Sequence, residues 1–303
     1  MPKYAERRGL HCSRHSVLPS LVTNQAWSIL MAQANYYSAE LIERTEVAAN
    51  LAVFRFRAEE QPAFAAGQYA TIGVVADGRV TERPYSIVSS PHERFLEFFV
   101  ELVPEGGLTP KLWDLKLGSN ILIRRRIVGQ FVLDTTVSRH LMLATVTGVA
   151  PFISILRTQE IERADGAKLE DRFLVIHGAS RSADFGPYLR ELKELSLSGW
   201  LTYVPTISRP WEESNWTGET GRIEDIVRKH IDQLGFDHTR TVAYACGHPG
   251  MVENVKGLLA RASFPQEQIK EEEYFKLHDA HPAERQRLPI NQKLRSVATP
   301  NRL

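Results

Sequence analysis

Beyond Ser138 the chain changes rhythm, and that change restricts its fold more than any single residue does. His140-Leu141-Met142-Leu143-Ala144-Thr145 is an apolar run of buried-strand length, followed by a helical pattern with Phe152, Ile155 and Leu156 on one face. The alternation recurs three more times. Residues 173–177 precede Tyr188, Leu189, Leu192 and Leu195, and residues 201–207 precede Ile223, Ile226, Val227 and His230. Residues 241–246 precede Met251, Val255, Leu258 and Leu259. Strands joined through helices run parallel and are covered on both faces, and such sheets bind ligands beyond the carboxyl ends of their strands.

The residues just after each strand are therefore the first candidates for a site. Thr147-Gly148, leading into Val149-Ala150-Pro151, can admit a pyrophosphate to a helix N-terminus. Ser180-Arg181 follows the second strand, Ser208-Arg209 the third, and Arg222 lies in the loop opening the next helix. Three cations at one rim suit an extra phosphate, such as NADP carries on its adenosine ribose. No acidic residue obviously occupies a ribose-binding position, which tilts the reading away from NAD. Cys246-Gly247-His248-Pro249-Gly250 ends the last strand with a small polarizable side chain and a glycine for close backbone approach.

Residues 38–136 read differently, as short alternating runs separated by turn residues. Residues 51–57 place Ala52, Phe54 and Phe56 on one face and arginines on the other. Further strands are expected at 68–74, 83–88, 95–103, 120–123 and 130–133, with Asp77-Gly78 as a tight turn. About six strands with little helix imply a closed antiparallel Greek-key barrel. One short helix is expected over 109–117, with Thr109 as its N-cap, Pro110 at its first position and the glycine turn Glu105-Gly106-Gly107-Leu108 before it. Free amides there suit a phosphate. Arg83-Pro84-Tyr85-Ser86 sets a cation, an aromatic ring and a hydroxyl within four residues. On a strand, Arg83 and Tyr85 share one side and Ser86 takes the other. A guanidinium can grip a pyrophosphate bidentately, a tyrosine can stack on a conjugated ring, and a serine can reach a ring nitrogen.

At 303 residues the chain accommodates about two domains. Its net charge of +1 gives no general case for nucleic acid, and no apolar run approaches the ~18 residues of a membrane helix. Two cysteines, Cys12 and Cys246, support neither a disulfide framework nor an iron–sulfur centre, and no metal site is expected. A reducing cytoplasm is the default. The first thirty residues carry Lys3, Arg7, Arg8 and Arg14 against Glu6, without the apolar core of a secretory signal. They are expected to be a disordered leader or a product of start-codon choice.

In this order, R-x-Y-S, a glycine-Leu-Thr turn, T-G-x-A-P, S-R and G-R, C-G-x-P and a terminal aromatic resemble the ferredoxin–NADP reductase family, particularly the compact bacterial ferredoxin/flavodoxin reductases. The likeness runs from Ser38 to Phe275. It implies a leader at 1–37, an FAD-binding barrel at 38–136, an NADP-binding α/β domain at 137–278 and an extension at 279–303. It also implies that Arg83 holds the FAD pyrophosphate, with Pro84 beside it, Tyr85 against the flavin and Ser86 near its N5. Phe99, Gly107, Leu108 and Thr109 complete that site, with Thr147 reaching it from the other domain. NADP takes Thr147, Gly148, Val149, Ala150 and Pro151 for its pyrophosphate. Ser180, Arg181, Ser208, Arg209 and Arg222 take its ribose phosphate, and Cys246, Gly247, His248, Pro249 and Gly250 its nicotinamide. Tyr274 and Phe275 cover the flavin, and Ser86, Cys246 and Tyr274 form the catalytic group.

The activity so implied is electron transfer between NADPH and ferredoxin or flavodoxin, by hydride exchange between nicotinamide C4 and FAD N5, in a cytoplasmic monomer. Other readings are a general NAD(P)H-dependent flavin, quinone or oxygenase-component reductase, and a redox sensor that binds without turnover. Arg124-Arg125-Arg126 is the expected docking run for an acidic carrier. Three departures stand out. Val146 occupies the first glycine of the family's G-T-G-x-A-P loop, and a β-branched residue does not readily take positive φ, so a different turn or an outward-shifted NADP is expected. Arg181 falls one residue later than the pattern. The polar stretch 280–303 extends past the aromatic where compact members stop.

Overall fold

The computed structural model describes residues 35–76 and 79–274. The leader up to residue 34, Cys12, the Asp77-Gly78 turn, Phe275 and the extension 279–303 lie outside the described residues.

Six strands build the first sheet: β1 (Tyr36–Ala48), β2 (Leu51–Ala58), β3 (Tyr69–Ala76), β4 (Arg79–Ser86), β5 (Leu96–Glu101) and β6 (Asn120–Arg124). Every pairing is antiparallel, in the order β4-β3-β6-β1-β2-β5. The edge strands β4 and β5 share no ladder, yet both ends of the sheet feed one core. Ile72 and Val74 of β3 join Phe54 and Phe56 of β2 and Phe98 of β5 around Leu112. A flat sheet could not bring these together, so the sheet is rolled into a barrel. Where the edges approach, the Val88 amide donates to the Glu97 carbonyl at 2.9 Å.

Three expectations in this half are corrected. Residues 130–133 form no strand: only Val128 bridges to Tyr69. Their apolar character serves packing instead, since Phe131 sits 5.6 Å from Phe152 and 5.5 Å from Tyr244. The helix α1 is shorter than expected, Thr109–Trp113, and Leu108 holds the N-cap position. The Thr109 hydroxyl instead accepts from Val103 N at 2.9 Å and donates to Val103 O at 3.0 Å, closing the glycine turn onto β5. The longest strand, β1, opens inside the stretch assigned to the leader. Its charges at Glu40, Glu43, Arg44 and Glu46 hide the alternation, and only Ala39 and Leu41 are fully buried.

The second sheet is parallel throughout: β7 (Arg139–Thr145), β8 (Arg172–Ala179), β9 (Leu201–Ile207), β10 (Glu219–Thr220), β11 (Thr241–Gly247) and β12 (Ile269–Glu273). Their order is β10-β9-β8-β7-β11-β12, so the chain steps outward from β7 and then returns to its other side. The short edge strands β10 and β12 were not legible in sequence. Helices α2 (Ala150–Ala164), α3 (Tyr188–Ser196), α4 (Ile223–Leu234) and α5 (Pro249–Arg261) cover the faces. Leu141 and Leu143 pack with α4 and α5 on one face. Met142 and Ala144 point to the other face and pack with Phe152 and Tyr188 of α2 and α3.

That second cluster also contains Leu51, Val53, Val88, Phe99 and Phe131 from the barrel half, so one apolar joint unites the two sheets. A buried ionic network rims it. Glu97, 1% exposed, meets Arg55 Nε at 2.5 Å and Arg157 Nη2 at 3.1 Å, and accepts from the Tyr188 hydroxyl at 3.0 Å. Arg157 also grips Glu191 with Nε and Nη2 at 2.6 and 2.9 Å. Burial penalises the Arg157 charge, but Glu191, Glu97 and Glu93 outweigh it and hold the guanidinium protonated. Among the described residues no helix is long and apolar enough to cross a membrane.

Candidate active site

The site forms where the carboxyl ends of β7 and β11 meet the end of β4. The loops after β7 and β11 are pressed together. The Thr145 hydroxyl accepts from His248 N at 2.8 Å. Gly247 has φ +127°, and a Cβ there would stand 2.3 Å from Thr145 Oγ1; one on Gly148 would stand 2.3 Å from Cys246 O. Only glycine lets these turns approach so closely.

Val146 takes the positive φ that its β-branched side chain was expected to resist. It adopts φ +46°, a left-handed conformation that a β-branched residue rarely occupies, at a cost on the order of 1–3 kcal/mol. Its side chain packs against both the joint and the small cluster of Ala179, Phe185 and Ile207, which offsets the strain. Thr147, Gly148 and Val149 follow in a short 3₁₀ turn, all buried, and lead through Ala150 and Pro151 into α2.

Around this turn the structure gathers side chains from both sheets. Ser86 ends β4 and is 8% exposed. Glu272 of β12 lies beside it: burial pushes its carboxyl up to about 7, against the pull of the Ser86 hydroxyl. Its Oε2 atom is buried without a hydrogen-bond partner. Cys246 is fully buried; desolvation raises its thiol, with the Glu272 charge adding and the Tyr274 hydroxyl opposing. Tyr274 is held to the end of β11 by its amide, which donates to Gly247 O at 3.3 Å. The residue is 38% exposed, while its hydroxyl is buried and reaches Thr147 and Cys246. An unpartnered buried carboxyl oxygen, a neutral thiol, hydroxyls and a part-exposed tyrosine fit a flat heteroaromatic with hydrogen-bonding edges.

Glu272 was missed in the sequence. Strand alternation could have found it, because residues two apart in a strand share a face and Tyr274 is two residues on. The run Ile269-Lys270-Glu271-Glu272-Glu273 reads instead as a charged loop.

The remaining candidates are placed as follows. Arg83 and Tyr85 pair with Ile72 and Ala70, and Ser86 with Tyr69, so the expected two sides hold. Arg83 and Pro84 are exposed, and the Arg83 Nη1 donates to Glu82 O at 2.8 Å, leaving further donors of the guanidinium fork for a ligand. Burial pushes the Tyr85 hydroxyl up to about 12. Gly107 is open on its Cβ side, where the nearest atom is Thr81 Cγ2 at 3.4 Å. Leu108 and Thr109 are buried in barrel packing. Phe99 packs edge-on to Tyr188, ring centroids 5.1 Å apart, and is 4% exposed, so the joint uses its ring. Within the 249–261 helix, Pro249 and Gly250 are buried in the first turn, and Gly250 N donates to His248 Nδ1 at 3.0 Å.

The arginine rim carries an acid that sequence reasoning did not place there. Glu212 Oε2 meets Arg181 Nε at 2.6 Å, and its Oε1 meets Arg209 Nη1 at 3.6 Å. Arg222 lies 3.9 Å from Glu224 and is 64% exposed. Ser180 and Ser208 sit on the same rim, where Ser208 N donates to Ala179 O at 2.9 Å and Arg209 N to Ser180 O at 3.2 Å. No group of ligating side chains that could hold a metal occurs among the described residues.

Comparison with known proteins matches residues 38–131 to the oxidoreductase FAD-binding domain family and residues 142–257 to the oxidoreductase NAD-binding domain family. The chain is 32% identical over 231 residues to a ferredoxin–NADP reductase of Pseudomonas aeruginosa, covering 69% of this chain and 84% of the relative. It is 32% identical over 206 residues to the flavodoxin/ferredoxin–NADP reductase of Escherichia coli, covering 64% and 77%. The structure resembles a ferredoxin NADP⁺ reductase from Neisseria gonorrhoeae with bound FAD and NADP. That match has a TM-score of 0.70 and 25% identity, and covers 80% of this chain and 99% of the other.

Proposed function

Because the chain belongs to the ferredoxin/flavodoxin–NADP reductase family, we propose that it is an FAD enzyme moving electrons between NADPH and ferredoxin or flavodoxin. The observation that carries this reading is the convergence of Ser86, Glu272, Cys246, Tyr274 and Thr147, drawn from both sheets onto one small region. We assign FAD to residues 38–136 and NADP to residues 137–278. When bound, FAD supplies hydride exchange with nicotinamide and one-electron delivery to the carrier.

The protein's own part is positioning. Arg83 would hold the FAD pyrophosphate through its fork, and Tyr85 would support the ring system. Ser86 offers a hydroxyl at the reacting edge, and Glu272 beside it titrates near neutrality, so it can hold or release a proton there. Cys246, neutral and buried, sets how closely nicotinamide approaches, while Gly148 and Gly247 let the backbone close up around it. Tyr274 covers the ring where nicotinamide enters. Arg181, Arg209 and Arg222 would hold the ribose phosphate, in competition with Glu212, which pairs with the first two.

An absorption spectrum of the purified protein, followed by anaerobic addition of NADPH and separately NADH, tests the reading. Bound flavin bleached much faster by NADPH is the expected result, and equal bleaching by NADH would favour the general reductase. The sensor reading rests only on the Val146 departure, and the regions Arg83 to Ser86 and Cys246 to Pro249 weigh against it. For the carrier we retain the face around Arg124, Arg125 and Arg126, although Glu82 pairs with Arg124 and Glu60 with Arg125 and both temper its charge. A monomer in the cytoplasm completes the proposal; sedimentation and fractionation test those two points.

A further inference from the structure

His177 belongs to no part of the machinery described so far, yet it sits directly beneath the nucleotide turn. It is fully buried near the end of β8, its ring edge-on to Phe185 with centroids 4.8 Å apart. Its Nε2 lies 2.8 Å from the Val146 carbonyl and its Nδ1 3.3 Å from the Tyr203 hydroxyl. A carbonyl can only accept, so Nε2 carries the proton, and Nδ1 accepts from Tyr203. Burial pushes the imidazole down to about 4, against the pull of the Val146 carbonyl, so this neutral tautomer persists at physiological pH.

The bond falls on the strained residue. The Val146 carbonyl and the Thr147 N–H belong to one planar trans peptide and point in opposite directions. Drawing the carbonyl down to a buried ring therefore aims the Thr147 N–H away from the imidazole, while the Thr147 side chain meets Tyr274. Valine at φ +46° has a standing tendency to relax. We propose that His177 is a positioning residue for the nucleotide turn, holding the Val146–Thr147 peptide in the one orientation that presents the Thr147 amide to the ligand. This rests on the NADP assignment above for the identity of that ligand, and on the structure alone for the brace.

The test uses the FAD-loaded enzyme in four forms, with His177→Leu, His177→Gln and each combined with Val146→Gly, beside wild type and the Val146→Gly single variant. Two quantities are read: amide hydrogen exchange over residues 146–150, and the NADP⁺ dissociation constant from flavin difference spectra. Flavin content checks that each form is folded. Leucine removes the donor and should speed exchange and weaken NADP⁺ by about tenfold. Glutamine, whose amide reaches a similar distance, should stay near wild type. Glycine at 146 carries no left-handed penalty, so in that background leucine should cost no more than about twofold. Unchanged exchange in the leucine variant, or an equal penalty in both backgrounds, overturns the proposal and leaves His177 an ordinary core residue. If exchange follows the pattern but wild type binds no NADP⁺, the brace stands and the NADP assignment falls.

Discussion

Glu97 of the barrel and Arg157 of α2 meet 3.1 Å apart inside the joint between the two sheets. The contact is nearly dry, with the Glu97 side chain 1% and the Arg157 side chain 15% exposed. Removing the Glu97 charge leaves Arg157 held by Glu191 and Arg55 by Glu43, but takes away the acceptor they share with Tyr188. Glu97→Gln should therefore destabilise the protein by about 1–3 kcal/mol. Arg55→Lys, at the wetter end of the network, should cost about 1 kcal/mol or less. Urea unfolding of the purified variants measures both.

Glu272 should govern the pH dependence. Its folded carboxyl is raised from 4.5 to about 7. Between those values the folded state binds more protons than the unfolded chain, so stability falls as pH rises through this window. Glu272→Gln removes that fall: variant and wild type should melt alike near pH 4, with the variant relatively more stable at pH 8. The same substitution should abolish a kinetic break near pH 7 and slow the proton-linked step about a hundredfold. Melting curves and pH–rate profiles read the two effects separately.

Nucleotide choice should respond to the rim in opposite directions. Arg209→Ala and Arg222→Ala should each raise the KM for NADPH about tenfold and leave that for NADH nearly unchanged. Glu212→Gln frees Arg181 and Arg209 from their internal acid and should lower the KM for NADPH. Steady-state kinetics with both nucleotides checks all three.

The two loop glycines should differ sharply from the barrel glycine. Gly247→Ala combines positive φ with a contact at 2.3 Å and should lose nucleotide binding or folding, whereas Gly107→Ala meets nothing nearer than 3.4 Å and should be accommodated. Soluble yield and flavin content separate the two results.

The parallel half was legible because buried strands are continuous apolar runs, and 139–145 and 241–247 leave little room for another reading. The barrel was read less well where packing overrode pattern. β1 carries charges on its outer face, and the apolar run 130–133 packs against Phe152 and Tyr244 instead of joining a ladder. Motifs near the ligand, such as Arg83 to Ser86 and Cys246 to Gly250, could be found because their chemistry is local. Glu97 and His177 could not, since each acts through a residue distant in the chain, Arg157 and Val146, while Glu272 was open to strand alternation from Tyr274 but hidden in a charged run.

The short strand β12 has a consequence for synthesis. Residues 269–273 are the last strand of the described chain, pairing onto β11 at the sheet's edge, and they bring Glu272 to Ser86. During translation the barrel and most of the parallel sheet emerge well before them. A chain interrupted just before β12 could bury nearly all of its apolar residues and still lack the carboxyl beside Ser86. The reacting face is thus completed only after the barrel and the other five parallel strands have been made.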